Sequence, residues 1–521
     1  MARRERMSNV DTAWLRMEDP TNLMMITGII IFDEPLPYDR LVETLEQRFI
    51  IYDRFKQRVL QPTTTMGTAY WEEDPRFDIR AHVQRVALPA PADQTMLQEL
   101  VSNLMSAPLD SSKPLWQFHL IEQYQGGSVL IGRLHHCIAD GIALVRVLLS
   151  LTDQDQEGDE QEKIEPKSRR AKGPLETLLA PVFAAAKSTQ KITETLFQEG
   201  LEVYRDPSRL VDIAKLGASG ATALGKLTLR LPDPPTIFKG ELGVIKKVAW
   251  SKPIPLNEVK AIGKVTEGTV NDVLITAVTG GLRRYMRKRG ERVKGLNFRA
   301  TIPVNLRPLD GPIEFGNKFG LVFLSLPVGI ADPLDRLREL KRRMDDLKES
   351  AEPVVAFGLL NAIGMVPAEV ENLALSLFGA KATAVMTNVP GPRQTIYLAG
   401  VPLKQLMFWV PQSGHLGLGV SIISYAGQVM VGIATDEGLV PDPDQIIKGF
   451  HREFDALMQL VRQVEENGAK KAAAAALPNI AEPHLITCEG VTKTGKPCRN
   501  KPLSGQTTCY LHQPVAEVIS L

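Results

Sequence analysis

The sequence has few cysteines, almost no net charge and no long apolar run, and each shortage removes a class of protein. Four cysteines serve 521 residues; Cys137 stands alone while Cys488, Cys498 and Cys509 crowd the C-terminal end, which is not a disulfide framework. Lysine and arginine number 61 against 60 acidic residues, so no global field recruits nucleic acid, and none is expected as a partner. The longest apolar stretches, Leu23 to Phe32 and Val354 to Val366, fall short of the ~20 residues needed to cross a bilayer. The opening MARRERMSNVDTAWLRMED has basic residues without the apolar stretch of a secretory signal, and Met7 would serve as a start as well as Met1. The expectation is a cytoplasmic protein that at most rests on a membrane surface. Common catalytic signatures are missing too: there is no GxSxG elbow, no GxxxxGK[ST] phosphate loop and no HExxH, and Gly417-Leu-Gly419 lacks the third glycine of a dinucleotide fingerprint.

What is present is ordinary globular composition, 44% apolar and 23% charged, in a chain long enough for two to four domains at ~150 residues each. Strand and helix patterns alternate. LMMITGIIIF reads as a strand, YDRLVETLEQRFI places Leu41, Leu45 and Phe49 at helical spacing, and SVLIGRLHH is a strand leading into the helix IALVRVLLSL. An α/β layered domain over residues 1–151 follows. From Thr152 to Lys172 the chain is charged and nearly free of apolar residues, a solvated linker. Two amphipathic helical patterns, Leu175 to Phe183 and Ile192 to Tyr204, extend it to residue 242, with an apolar face for either protein or lipid. A second α/β unit spans 243–467 and includes a hairpin turning at Ala426-Gly427. Low-complexity residues 468–487 then lead to a Cys/His tail, 488–512.

The chemistry centres on LHHCIADG, at a strand-to-helix junction. Strand alternation lets only one of His135 and His136 line a given site. Asp140-Gly141 suits a tight turn opening the next helix, the carboxylate near its N-terminus and the glycine accepting unusual torsions. An imidazole with a pKa near ~6.5 can take a proton from an alcohol at neutral pH. A hydrogen-bonded structural turn and a pair of metal ligands satisfy the same spacing.

Pro114-Leu115-Trp116, HHCIADG, Asn271-Asp272 in TVNDVL, PVNLRP around Arg307, FGNKFG from Phe315 and NVPGP from Asn388 follow one another in an order that resembles the bacterial wax ester synthase/acyl-CoA:diacylglycerol acyltransferase family. The resemblance covers about Ser8 to Gln463. It implies two chloramphenicol acetyltransferase-like α/β domains around a central tunnel, joined by a helical linker. By the same resemblance His136 is the general base, His135 supports it and Asp140 is structural, paired with Arg307 of the second domain. Asn271 becomes an oxyanion donor, with helix capping as the plainer role, and Pro114, Leu115 and Trp116 pack an acyl channel. The implied reaction moves a fatty acyl group from acyl-CoA to a long-chain alcohol or diacylglycerol, without a catalytic metal, at a membrane or lipid-droplet surface. Where family members often read Pro-Met-His-Val, this chain has Leu23-Met24-Met25-Ile26, a departure that bears on the substrate channel. A carrier-protein-fed condensation-type enzyme and a non-enzymatic lipid-surface scaffold are the alternatives.

The tail lies outside that resemblance. Cys488-x9-Cys498-x10-Cys509-x2-His512 supplies four ligands, enough to close a tetrahedral structural zinc site similar to small Cys3His knuckles. Lys493, Lys496, Arg499 and Lys501 make the knuckle basic, through plain solvation or as a contact surface.

Overall fold

The computed structural model describes residues 4–61, 69–154, 229–306, 315–348, 350, 353, 355–358, 379–412, 416–476, 488–500 and 502–512. The amphipathic patterns between Leu175 and Tyr204, most of the charged linker, and Arg307 lie outside the described residues. The chain divides into two units, Met1–Val461 and Arg462–Leu521.

The larger unit is built on two seven-stranded sheets. In the first, Met25–Phe32 is the middle strand, antiparallel to Gly127–His135 on one side and to Val401–Trp409 on the other. A strand as apolar as MITGIIIF needs both neighbours and cover on both faces, and it is buried along most of its length. Trp116–Tyr124 and Val83–Arg85 extend the sheet beyond Gly127–His135, and Tyr397–Leu398 and Thr152–Asp153 complete the other edge. Register sets Met25 opposite His135 and Trp116 opposite Leu134.

The second sheet runs Ile254–Pro255, Gln428–Asp436, Leu418–Tyr425, Ala384–Pro390, Phe298–Asn305 and Phe319–Leu326, with Lys246–Trp250 also pairing Gln428–Asp436. Ala384–Pro390 is parallel to both of its neighbours. Parallel strands require a crossover, and the one from Pro390 to Leu418 travels through the first sheet as Tyr397–Leu398 and Val401–Trp409. The second half of the chain therefore completes the first sheet, an exchange that the sequence patterns did not signal. The hairpin at Ala426-Gly427 is a two-residue turn: Tyr425 pairs with Gln428, and both turn residues have positive φ, 46° and 76°.

Val248, Trp250, Phe319, Tyr425 and Met430 of the second sheet join the apolar core of the first. A separate core lies between the second sheet and the helices Leu256–Thr266, Val270–Lys288 and Asp444–Ala476. Two of these helices meet at glycines. A Cβ on Gly281 would lie 2.8 Å from the Phe450 nitrogen, and one on Gly449 would lie 3.0 Å from the Gly281 Cα. Among the described residues no helix is long and apolar enough to cross a membrane.

Candidate active site

Gly127–His135 ends as a strand at His135, residues 136–138 turn, and Gly141–Leu151 begins a helix. His136 thus opens a turn, and strand alternation does not separate the two histidines; their partners do. Asp140 caps the helix, its Oδ1 accepting from the Ala143 N–H at 3.0 Å. Its Oδ2 accepts from the Lys318 N–H at 3.1 Å. The pairing expected with Arg307 falls outside the described residues. Gly141 is the first helical residue, and a Cβ there would meet nothing within 4 Å. Nor is it among the glycines of positive φ, so the special torsions expected of it are not used.

The glycine that matters is Gly316, in FGNKFG. Its N–H donates to the Ile138 carbonyl at 3.0 Å and its carbonyl faces the Asp140 N–H at 3.4 Å, clipping the histidine loop to the segment before Phe319–Leu326. Its φ is +89° and a Cβ would press within 2.9 Å of the Asp11 carboxylate, so both torsion and space demand glycine.

His135 is held by local groups. Its Nδ1 accepts from the Cys137 N–H at 3.1 Å, which places the ring proton on Nε2, 2.7 Å from Glu18 Oε2 and approached off the N–H axis. Burial alone raises the Glu18 carboxyl; the bond and charge of His135, with the Met24 backbone, bring it below its ordinary value. This arrangement suits a supporting residue.

His136 occupies a different environment. Its N–H donates to the Met24 carbonyl at 2.7 Å, and its ring stacks on Trp14 with centroids 4.1 Å apart and planes 18° from parallel, Phe319 lying 5.7 Å away. Only 6% of the residue is exposed. Burial, and secondarily the neighbouring His135, push its pKa down to about 3, while its own carbonyl and the Asn317 side chain push it up. The ring is neutral at physiological pH. Nδ1 is enclosed without a straight hydrogen bond, whereas Nε2 is not enclosed in this way. Cys137 is completely buried, and burial followed by the Asp11 charge raises its thiol well above the ordinary range, so it is protonated and a poor nucleophile.

Of the remaining predicted residues, Leu115 meets His135 through its backbone and the others lie elsewhere. Trp116 sits in the core, its Nε1–H donating to the Phe55 carbonyl at 2.8 Å and its ring stacked on His82. Leu115 is buried beside it and accepts the His135 N–H at 2.9 Å, and Pro114 is buried as well. Asn271 is exposed in the first turn of Val270–Lys288, where Thr269 and Asp272 form the capping box; capping is therefore not its role. Its Oδ1 accepts from Asn388 Nδ2, which joins TVNDVL to NVPGP.

Four residues in contact with this site were missed: Asp11, Trp14, Glu18 and Asn317. The first three lie in the N-terminal segment, which carries none of the family motifs, and Asn317 stands inside FGNKFG, a motif that assigns it no role.

In the tail, Cys488, Cys498, Cys509 and His512 bring their donor atoms within 4.8 Å of one another. The Cys498 and Cys509 sulfurs are 3.9 Å apart, and His512 Nδ1 is 3.6 Å from Cys488 Sγ and 3.5 Å from Cys509 Sγ. Zn–S bonds of ~2.3 Å and Zn–N bonds of ~2.0–2.1 Å in a regular tetrahedron give edges of about 3.8 Å for S···S and about 3.6 Å for S···N. The spacing therefore fits a zinc ion, and none of the cysteines is in a disulfide. The surroundings fit as well. The Gly490 and Cys509 N–H groups donate to Cys488 Sγ at 3.3 and 3.1 Å, and His512 Nε2 lies 3.0 Å from the Val491 carbonyl, which turns Nδ1 toward the sulfurs.

The solved wax ester synthase/diacylglycerol acyltransferase of Marinobacter aquaeolei VT8 superposes with a TM-score of 0.62 at 20% identity, covering 88% of this chain and 99% of that one. The first condensation domain of the calcium-dependent antibiotic synthetase superposes at 0.55 and 15% identity, covering 88% and 96%, which shows a shared fold. A Mycobacterium tuberculosis protein named as a probable diacylglycerol O-acyltransferase is 28% identical over 473 residues, 87% of this chain and 95% of its own length. The wax ester synthase/diacylglycerol acyltransferase catalytic domain matches residues 7–274 and the C-terminal domain of the same family matches 315–458, so the chain belongs to this acyltransferase family.

Proposed function

We propose that the protein transfers a fatty acyl group from acyl-CoA to the hydroxyl of a long-chain alcohol or diacylglycerol, with His136 Nε2 as general base. The observation that carries this reading is the His136 ring itself: buried, neutral, stacked on Trp14, with Nδ1 enclosed and Nε2 not. Nε2 takes the hydroxyl proton as the oxygen attacks the thioester carbonyl. The tetrahedral intermediate then expels the thiolate, which recovers that proton from the imidazolium. No acyl-enzyme forms, in keeping with a Cys137 thiol held protonated. Charging a ring whose pKa lies near 3 is costly, so groups that raise its basicity bear directly on rate.

Asp140 serves architecture through the helix cap and the Lys318 amide, with Arg307 as a further partner. With Oδ1 engaged by Asn388, Asn271 keeps its amide nitrogen as the end that donates, which suits an oxyanion donor. The tail ligands Cys488, Cys498, Cys509 and His512 hold one structural zinc, which supplies folding energy and takes no part in transfer. The acceptors are insoluble, so the enzyme works at the cytoplasmic face of a membrane or at a lipid droplet.

The test is single-turnover transfer from labelled acyl-CoA, with hexadecanol or a diacylglycerol as acceptor, in alanine variants at 135, 136 and 137. His136→Ala should lose on the order of 10²–10⁴ in rate while still binding acyl-CoA, and Cys137→Ala should remain active. Near-normal transfer in His136→Ala, or a label trapped on Cys137, would sink the mechanism.

A further inference from the structure

Asn317 grips His136 at the main chain. Its Nδ2 donates to the His136 carbonyl at 2.8 Å and to Asp11 Oδ1 at 2.7 Å, and its backbone N–H donates to the same Asp11 oxygen at 2.9 Å. Both amide hydrogens are thus committed to acceptors, which settles which end of the amide is oxygen. That oxygen is enclosed with no donor, and His136 Nδ1 is likewise enclosed with no partner. The bond from Nδ2 to the His136 carbonyl holds this amide against the residue that carries the ring, and the Asn317 side chain raises the basicity of that ring. A single proton on Nδ1, reached by a small turn of the ring, would satisfy both atoms at once.

We propose that Asn317, anchored by Asp11, is a positioning residue that holds neutral His136 in its Nδ1–H tautomer and leaves the lone pair on Nε2. The proposal rests on His136 being the base. Ser8 ties the arrangement together: its hydroxyl donates to Asp11 Oδ2 at 2.6 Å, and it is the N-cap of Asn9–Arg16, the helix that also carries Trp14. One short helix therefore brings an aromatic plate onto the ring and a carboxylate onto the amide that orients it. When Nε2 accepts the hydroxyl proton, the new positive charge is shared with an Nδ1–H pointing at a carbonyl oxygen, so the contact strengthens as the reaction proceeds.

The tautomer is read directly by nitrogen NMR of histidine-labelled full-length protein, with the His136 signal identified by its loss in His136→Gln. The wild-type spectrum should show Nδ1 protonated; an Nε2–H wild-type ring overturns the proposal without any variant at 317. Asn317→Leu should shift the population toward Nε2–H and lower kcat on the order of 10- to 100-fold, with the acyl-CoA KM changed far less. If Asn317→Leu keeps full turnover and an unchanged tautomer, the ring is oriented by its own carbonyl and the proposal fails. That outcome is distinct from failure of the base assignment, in which His136→Ala itself would remain active.

Discussion

His136 and His512 each have one ring nitrogen turned to protein, yet they are held in place by different means. His136 is surrounded by side chains drawn from Asp11 to Phe319, positioned by two sheets and an apolar core. His512 lies in a segment whose buried cluster is three cysteines, with Tyr510 and Leu511 beside it 71% and 62% exposed. In the body, packing comes first and gives the histidine its properties by removing water. In the tail the buried cluster is three cysteines, and under the proposed zinc reading the ligands supply the folding energy that apolar burial does not.

The sharpest way to test that contrast is to remove the metal. A structural zinc in a small knuckle contributes on the order of 10–16 kcal/mol of apparent binding energy at neutral pH, all of it expressed as folding of the segment. Elemental analysis should find one zinc per chain. A strong chelator, or Cys509→Ser, should expose residues 488–512 to protease while the unfolding of the body and its acyl transfer stay within about twofold of wild type. Metal-free protein with a protease-resistant tail would break the comparison, as would a chelated protein with lost turnover.

The same contrast explains what could be read in advance. Cys488, Cys498, Cys509 and His512 lie close in sequence, and ligand type with spacing is nearly the whole site, so the tail was legible residue by residue. The strands and helices around His135 were legible too, because MITGIIIF and GIALVRVLLSL carry their periodicity on their face. What could not be read was assembly. Nothing in VPLKQLMFW says that it pairs with Met25–Phe32 rather than with a strand of its own half. Nothing in SNVDTAWL says that Asp11 and Trp14 meet residues three hundred positions away, since such contacts are set by the sheet crossover and not by local pattern. Gly141 illustrates the reverse: motif membership suggested a special torsion, and the backbone there is ordinary helix.

A smaller effect separates body from tail at Asp140. Asp140→Ala removes a helix cap, worth about 1 kcal/mol, and leaves the Lys318 N–H without its carboxylate acceptor, worth about 1–3 kcal/mol where water is excluded. Urea unfolding of the body should shift by about 2–4 kcal/mol with turnover reduced, and zinc content should be unchanged. Asp140→Asn retains an acceptor and should cost less. A fully stable, fully active alanine variant would remove Asp140 from the architecture of the site.

The finest test is the dependence of body stability on pH, because two buried groups act in opposite directions there. Asp11 is pushed up to about 6 by burial, against hydrogen bonds from Ser8 and Asn317 and the charge of Arg54. Folding therefore favours its neutral form: its contribution is full below the unfolded value of ~3.9 and is lost as pH rises through about 6. His136 is shifted the other way. Its folded pKa of about 3 lies below the unfolded ~6.5, so the unfolded chain takes up the proton first, and its contribution is full above about 6.5 and is lost as pH falls toward 3. Between pH 4 and 6 the two slopes, each near 1.4 kcal/mol per pH unit at most, oppose one another. Asp11→Asn keeps an oxygen for the two Asn317 donors and a nitrogen for Ser8 but cannot titrate, so acidification from pH 6 to 4 should destabilise the variant by about 2 kcal/mol more than wild type. All five tryptophans lie at or before Trp409, so their fluorescence follows the body without interference from acid release of a tail metal. Parallel pH curves for wild type and Asp11→Asn would show that Asp11 does not carry the raised pKa that its burial beside Asn317 demands.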